Sequence, residues 1–393
     1  MTGALHEVRV ADFSRVLAGP YATMILGDLG ADVVKIERPG DGDESRGWGP
    51  PFVQGESAYF LASNRNKRSV ALDLAREDHR EAAHRLIARS HVMIENFRPG
   101  TAERIGLGYE QARSLNPAIV YASITGFGER GPYRDRPGYD FVAQAMGGLM
   151  SVTGEPDGEP EKVGVAIADI TSGMFATIGI LAALRHAEAT GEGQRVHVSL
   201  LESQIAWLAN QASNYLVGGV EPTRMGNAHP NIVPYRVFHA SDAPMVVAVP
   251  NDWMWKRFCD AVERPDLLAE DRYATNKLRV ANRGMLEPEL QEMFGRRPRA
   301  EWLALLTNAD VPSGPINSIA EVFADEHVNA IGMVEEVVHP TAGTLPLVRS
   351  PITLEATKTE IRRPPPTIGE HTEEVLRELG YSKEHINRMV REE

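Results

Sequence analysis

The order strand, helix, strand recurs along the first third of the chain, and it constrains the fold more than any single motif does. Residues 8–13 read as a short strand, Gly19-Pro20 turns the chain, residues 21–29 have helical spacing that stops at Gly30, and residues 32–37 read as a second strand closed by Pro39-Gly40. Consecutive parallel strands need a long crossover, usually a helix, so this spacing predicts a βαβ unit in a parallel sheet. The pattern continues with a strand at 70–72, a helix at 79–88, a strand at 91–95, a short helix at 102–105 and a strand at 118–124.

The expected fold is therefore α/β, with a Rossmann-like doubly wound large domain. Sheets of that kind take ligands at the carboxyl ends of their strands. Arg38, Asn96, Phe97 and Arg98 all fall just past predicted strand ends. One tempting motif fails. Gly126-Phe-Gly128-Glu-Arg-Gly131 fits G-x-G-x-x-G after a strand, but Pro132 follows at once. A dinucleotide site needs a helix to open inside that motif, so the segment reads as a loop.

The stretch 161–184 holds the most pointed acid. A short apolar run, 163–168, ends at Asp169, and a longer apolar stretch with small residues, 174–184, follows. The first part suits a buried strand or extended segment and the second a buried helix. Asp169 then stands at the amino end of a helix, where unpaired N–H groups and the helix dipole favour an ionised carboxylate. One reading is an N-cap, for which Asp is a preferred residue. The other is a nucleophilic carboxylate, with Gly173 and other small residues leaving room for a substrate. The two are compatible.

At 393 residues the chain exceeds the size at which one core stops growing, so two domains are expected. A formal charge of −13 disfavours nucleic acid as a partner. One cysteine, Cys259, excludes an intrachain disulfide and a cysteine-based zinc site, and no metal site is expected. No run of about 18 apolar residues and no apolar signal core at residues 1–10 stand out, so a cytoplasmic protein without a membrane partner is expected. Residues 141–149 and 203–216 read as helices and 195–200 as a strand or a strand-helix junction. Residues 218–234, rich in Gly, Pro and Asn, read as a linker. Two antiparallel strands at 235–239 and 244–249, with helices at 253–262, 283–294 and 299–308, suit a smaller α+β domain over about 219–320. Strand character returns at 334–338 and 345–348, and helices at 372–379 and 383–390 close the chain.

Several segments, in order, resemble the class III coenzyme A transferases, the CaiB/BaiF-like family of formyl-CoA transferase and carnitine CoA-transferase. They are Leu17-Ala-Gly-Pro20, Asp28-Leu-Gly-Ala-Asp-Val-Val-Lys-Ile-Glu37, Asn66-Lys-Arg-Ser69, Glu95-Asn-Phe-Arg-Pro-Gly100, Tyr139-Asp-Phe-Val-Ala-Gln144, Ala168-Asp169 and Gly369-Glu-His-Thr372. The resemblance covers nearly the whole chain. It implies an interlocked homodimer whose large, CoA-binding domain is built from both chain ends, here residues 1–218 and 321–393, with the small domain and its linkers, 219–320, between them.

The resemblance also implies the chemistry. Asp169 matches the family nucleophile, which passes through an aspartyl anhydride and an aspartyl-CoA thioester as CoA moves from an acyl-CoA donor to a carboxylic acid. CoA thioesters are then substrates, and no cofactor is bound permanently. Arg38, Arg98 and Arg104 match cofactor-contact positions suited to CoA's phosphates. Leu17, Ala18, Leu72, Asn96 and Phe97 match positions along the adenine and pantetheine path, and Tyr139 one beside the active site. There are departures. Cationic positions of formyl-CoA transferases fall here on Ala75, Thr125 and Pro137, although Arg76 is adjacent to the first. In place of their glycine loop stands Arg224-Met-Gly-Asn-Ala-His-Pro-Asn-Ile-Val-Pro-Tyr235, more like transferases for dicarboxylic or branched acids. Formate and oxalate are therefore disfavoured, and succinyl-CoA is the expected donor. Arg224 and His229 are candidates to meet a substrate carboxylate. The alternative is an α-methylacyl-CoA racemase, a related class on the same fold that needs an acid/base pair for the α-proton. Racemases carry His immediately before the Asp of this segment, where Tyr139 precedes Asp140.

Overall fold

A computed structural model describes residues 3–391. It divides into two compact units, one made of residues 1–149, 162–219 and 331–393, the other of residues 150–161 and 220–330.

The first unit is built on six parallel strands: β1 (Arg9–Asp12), β2 (Asp32–Glu37), β3 (Lys67–Ala71), β4 (Val92–Glu95), β5 (Val120–Thr125) and β6 (Arg195–Ser199). Their order across the sheet is β3-β2-β1-β4-β5-β6. Successive side chains of a strand point to opposite faces, and the sequence exploits this. Val10, Val33, Val92, Ile94 and Val120 enter one core, with Ala22 and Leu26 of α1 (Ala18–Asp28). Ala11, Val34, Met93 and Tyr121 enter the other, with Leu86 of α2 (Glu77–Ala88) and Val375 and Leu376 of the helix Thr372–Glu378. Near-continuous apolar strands are the signature of a sheet covered on both faces.

Helix α3 (Asp140–Met146) precedes the long α4 (Ile167–Thr190), and α5 (Leu200–Ala206) and α6 (Ala209–Leu216) follow β6. The predicted strand at 163–168 is absent. Residues 163–166 are irregular, and the helix opens at Ile167 and runs through both predicted segments. Ala168, Ser172, Ala176, Ile180, Ala183 and Leu184 form its buried stripe at i, i+3 and i+4 spacing. By length and composition α4 is apolar enough to cross a membrane, but half of that stretch is buried within the unit. Gly191 ends it at φ 74°, a left-handed cap that suits glycine. Gly173 serves close packing rather than an open substrate space. A Cβ there would lie 2.6 Å from the carbonyl oxygen of Ala18 in α1.

The chain end returns to this unit through side chains and helices, not strands of the main sheet. Ala71 N–H donates to Thr372 Oγ1 at 3.0 Å, and Gly369 N–H donates to Ser69 Oγ at 2.9 Å. The strands Val334–His339 and Gly343–Val348 pair only with each other.

The second unit holds a three-stranded antiparallel sheet of Ser313–Pro315, Pro244–Ala248 and Tyr235–His239. Its core gathers Trp255, Phe258, Phe294 and Trp302. Arg279 is fully buried there, donating to the carbonyls of Val233 and Tyr273 and pairing with Asp252. A buried guanidinium is tolerable because its donors are bonded.

Candidate active site

The strand order reverses between β1 and β4, and such a switch point leaves a crevice at the strands' carboxyl ends. A cavity of about 160 Å³ lies there within the first unit. Residues 15–18, just past β1, and 96–99, just past β4, form two of its walls, and 124–126 and 136–139, at and after the end of β5, form a third. Glu44, Asp169 and Leu200 complete the lining. The fold thus brings together Leu17, Ala18, Asn96, Phe97, Arg98, Tyr139 and Asp169 from seven separate sequence predictions.

Asp169 occupies the first turn of α4, not its cap. The N-cap is Ala166, whose side chain accepts nothing. The capping work falls to a neighbour. Asp140 Oδ1 accepts the Ala168 N–H at 2.7 Å, and its Oδ2 accepts Gln144 Nε2 at 2.7 Å. Gln144 Oε1 in turn accepts the Val163 N–H at 2.9 Å. Both oxygens of Asp140 meet donors, so a carboxylate fits this position better than an amide. The same negative charge stands near Asp169. Burial first, and the Asp140 charge second, push the Asp169 carboxyl up to about 7. Tyr59 responds to the same pair: burial, then Asp169 and Asp140, push its phenol up to about 12.

Past β1, Arg15 pairs with Glu44 at 2.7 Å and lies over the Phe97 ring at 5.5 Å. Its backbone is held by a single side chain. Arg15 N–H donates to Asn96 Oδ1 at 2.9 Å, and Asn96 Nδ2 donates to the Arg15 carbonyl at 2.7 Å. Phe97 is fixed by its own N–H, which donates to Glu95 Oε2 at 2.7 Å. Burial first pushes the Glu95 carboxyl up to about 7. Beneath the Arg15 wall, Lys35 and Asp43 form a fully buried pair at 2.8 Å.

Three predicted contact residues do not line this cavity. Arg38 is largely exposed and pairs with Asp41. Leu72 is core, packed beneath the sheet. Arg104 donates to Thr101 Oγ1 in its own short helix. Of the three, only Arg38 was expected just past a strand end; Leu72 closes the expected strand 70–72 and Arg104 falls in the expected helix 102–105. Arg224 and His229 belong to the second unit. Arg224 donates to the carbonyls of Glu155, Pro156 and Gly158, and His229 Nδ1 accepts the Asn231 N–H, so both brace loops. Sequence reasoning passed over Arg15, Val16, Glu44, Arg136 and Asp140. The available signal was position: Arg15 and Val16 follow β1 as Asn96 follows β4. Among the described residues, no three His, Cys, Asp or Glu side chains gather as metal ligands.

The family model for CoA-transferase family III matches residues 5–372. A succinate–glutarate CoA-transferase of Agrobacterium fabrum is 46% identical over 382 residues, covering 95% of each chain. A succinyl-CoA:glutarate CoA-transferase of Mus musculus is 43% identical, covering 98% of this chain and 89% of its own. Among solved structures, a CaiB/BaiF family protein from Brucella suis superposes with a TM-score of 0.85 at 43% identity, covering 96% of this chain and all of its own. Matches of this extent, with an acid at the head of a buried helix in a switch-point cavity, decide the matter: the chain belongs to CoA-transferase family III and is a CoA-transferase.

Proposed function

We propose that the chain moves CoA from succinyl-CoA to a second dicarboxylic acid, with Asp169 as the covalent relay. The observation that carries this reading is the placement of Asp169: a half-buried carboxylate of raised basicity opening into a cavity that guanidinium groups also line. Names of relatives that act on succinate and glutarate support the substrate class.

The chemistry follows in four exchanges. The Asp169 carboxylate attacks the thioester carbonyl, the C–S bond breaks, and CoA leaves as its thiolate. The thiolate attacks the Asp169 carbonyl of the mixed anhydride, releasing the first acid and leaving an aspartyl-CoA thioester. The acceptor's carboxylate attacks that thioester, again expelling the thiolate. The thiolate then attacks the acceptor's acyl carbon, and the new acyl-CoA leaves Asp169 as a carboxylate. No separate base is needed, because a carboxylate is the nucleophile once ionised. Excluding water from the anhydride keeps the thioester energy. Arg15, Arg98 and Arg136 supply cations; we assign Arg98 to CoA and Arg136, which stacks on Tyr133, to the remote carboxylate of the acid.

We also infer an interlocked homodimer in which the first unit is the Rossmann-like CoA-binding domain and the second the small domain. Exposed Phe141 and Met146 on α3, Met174 and Ile178 on α4, and Leu216 and Val217 at the end of α6 support a second copy as their cover. Monomers rarely leave such apolar surface in water. The test is a panel of acyl-CoA donors against mono- and dicarboxylic acceptors, read by mass spectrometry. Transfer from succinyl-CoA to a dicarboxylic acid is the expected result. Turnover confined to monocarboxylic partners, or exchange of an α-proton without any acceptor, overturns it.

A further inference from the structure

The cavity wall formed by residues 15–18 carries backbone strain. Val16 has φ 67°, the left-handed region that a β-branched side chain avoids. Nothing in the Val16 side chain favours that conformation, so its surroundings impose it, and strain of this kind persists only where several contacts over-determine the backbone.

Those contacts can be named. Val16 N–H donates to both carboxylate oxygens of Asp43, at 3.1 and 3.2 Å. Asp43 is itself anchored, since its Oδ1 accepts Ser45 N–H and Oγ and its Oδ2 accepts Lys35 Nζ. Lys35 Nζ also donates to the Ser14 carbonyl at 2.8 Å, gripping the residue two before Val16. Asn96 holds the residue between them, with both ends of its amide on the Arg15 backbone. Three consecutive residues, Ser14 just before the wall and Arg15 and Val16 within it, are therefore pinned by a buried ion pair and by one amide.

This changes the role of Asn96. Its carboxamide has one oxygen and one NH₂, and each is engaged by Arg15. We propose that Asn96 and Asp43 are positioning residues: together they hold Val16 in a conformation it would otherwise leave, and so present the 15–18 wall to the acyl-CoA. Asn96 then acts on substrate through that wall rather than by touching it. The inference rests on the reading that this cavity takes acyl-CoA, and the experiment separates the two: a wild-type chain without CoA transfer counts against the function, whereas the comparison below concerns the wall alone.

The obvious variant, Asp43→Asn, removes the hydrogen-bonded counter-charge of the fully buried Lys35 and is expected to yield little folded protein. The test is therefore built on Asn96, which is partly exposed. In the wild-type background, Asn96→Ala is expected to raise KM for the acyl-CoA donor about tenfold, because the binding-competent wall becomes a minor population. Val16→Gly removes the cost of the left-handed backbone. In the Val16→Gly background the same Asn96→Ala change is expected to raise KM less than about threefold. The thermal midpoint of Val16→Gly alone does not fall. An equal effect of Asn96→Ala in both backgrounds shows direct contact with substrate and overturns the proposal. So does no effect in either background, or a lowered midpoint for Val16→Gly, which denies the strain.

Discussion

Replacing Asp140 by Asn tests how the site sets the charge of Asp169, the proposed nucleophile. Asp169 is pushed up to about 7, burial being the larger cause and Asp140 the smaller. Removing one nearby like charge is worth about one pH unit, so Asp169 in the variant is expected to titrate about one unit lower than in the wild type. At pH 5.5 a carboxyl with midpoint about 7 is ~3% ionised and one with midpoint about 6 is ~24% ionised, so the rate relative to its own plateau rises about eightfold. The plateau itself is expected to fall, because Gln144 Nε2 loses an acceptor-only partner.

Stability responds with the opposite sign from an ordinary paired carboxylate. The folded-state midpoint of Asp169 lies above its unfolded value of 3.8, so its favourable protonated form is fully available below the unfolded midpoint. That contribution is lost as pH rises through about 7. Asp140→Asn relieves ~1.4 kcal/mol of this in a dry site, and about half that with cavity water present. Loss of the Gln144 bond costs ~1 kcal/mol. The two nearly cancel, so the melting temperature at neutral pH moves little and the kinetic profile is the informative readout. The assay is kcat/KM for the acyl-CoA donor from pH 5 to about 8.5. An acid limb that stays at the wild-type position, whatever the plateau does, refutes the idea that Asp140 tunes Asp169.

Other outcomes follow from the packing and the cavity. Gly173→Ala drives a Cβ to within 2.6 Å of the Ala18 carbonyl oxygen; overpacking of this sort costs about 1–3 kcal/mol, and thermal denaturation should show it, together with a raised KM for acyl-CoA. An unchanged midpoint contradicts the close α1–α4 packing. Arg136→Met is expected to raise KM for a dicarboxylic acceptor about tenfold while leaving a monocarboxylic acceptor within about twofold; equal losses for both acids return Arg136 to general CoA binding. Sedimentation of the intact chain is expected to give a dimer at micromolar concentration, and Ile178→Glu, on the exposed apolar face of α4, to weaken it. A monomeric wild type removes the proposed cover for that face.

The alternation of strand and helix was legible because period-2 and period-3.6 patterns are local. The apolar run 163–168 was misleading for a physical reason: a short apolar segment fits a buried strand and the first turn of a buried helix equally well. Continuity of α4 is decided by packing against α1 and the sheet. Residues 39–57 are rich in Gly, Pro and charge, with no pattern that marks a buried residue, yet the segment delivers Asp43, fully buried against Lys35. Burial alone raises such a carboxyl, but the Lys35 ammonium and the bonds to Ser45 more than reverse this and hold Asp43 well below the carboxylate range. Such pairing across the fold has no local signal. The same limit explains the candidate contacts. Position past a strand end puts Asn96, Phe97 and Arg98 at the cavity, but side-chain direction sends Arg38 to Asp41, and Leu72, at the end of its strand, lies in the core. Gly173 shows the converse, since a small residue beside an acid looked like room for substrate and is occupied by the backbone of α1.

The most direct test of the account is intact-mass analysis of the chain after exposure to an acyl-CoA donor without any acceptor acid. The expected product carries one CoA less one water on Asp169, is cleaved by hydroxylamine, and is absent from Asp169→Asn. No adduct under conditions of turnover, or an adduct mapped to another side chain, contradicts Asp169 as the covalent relay.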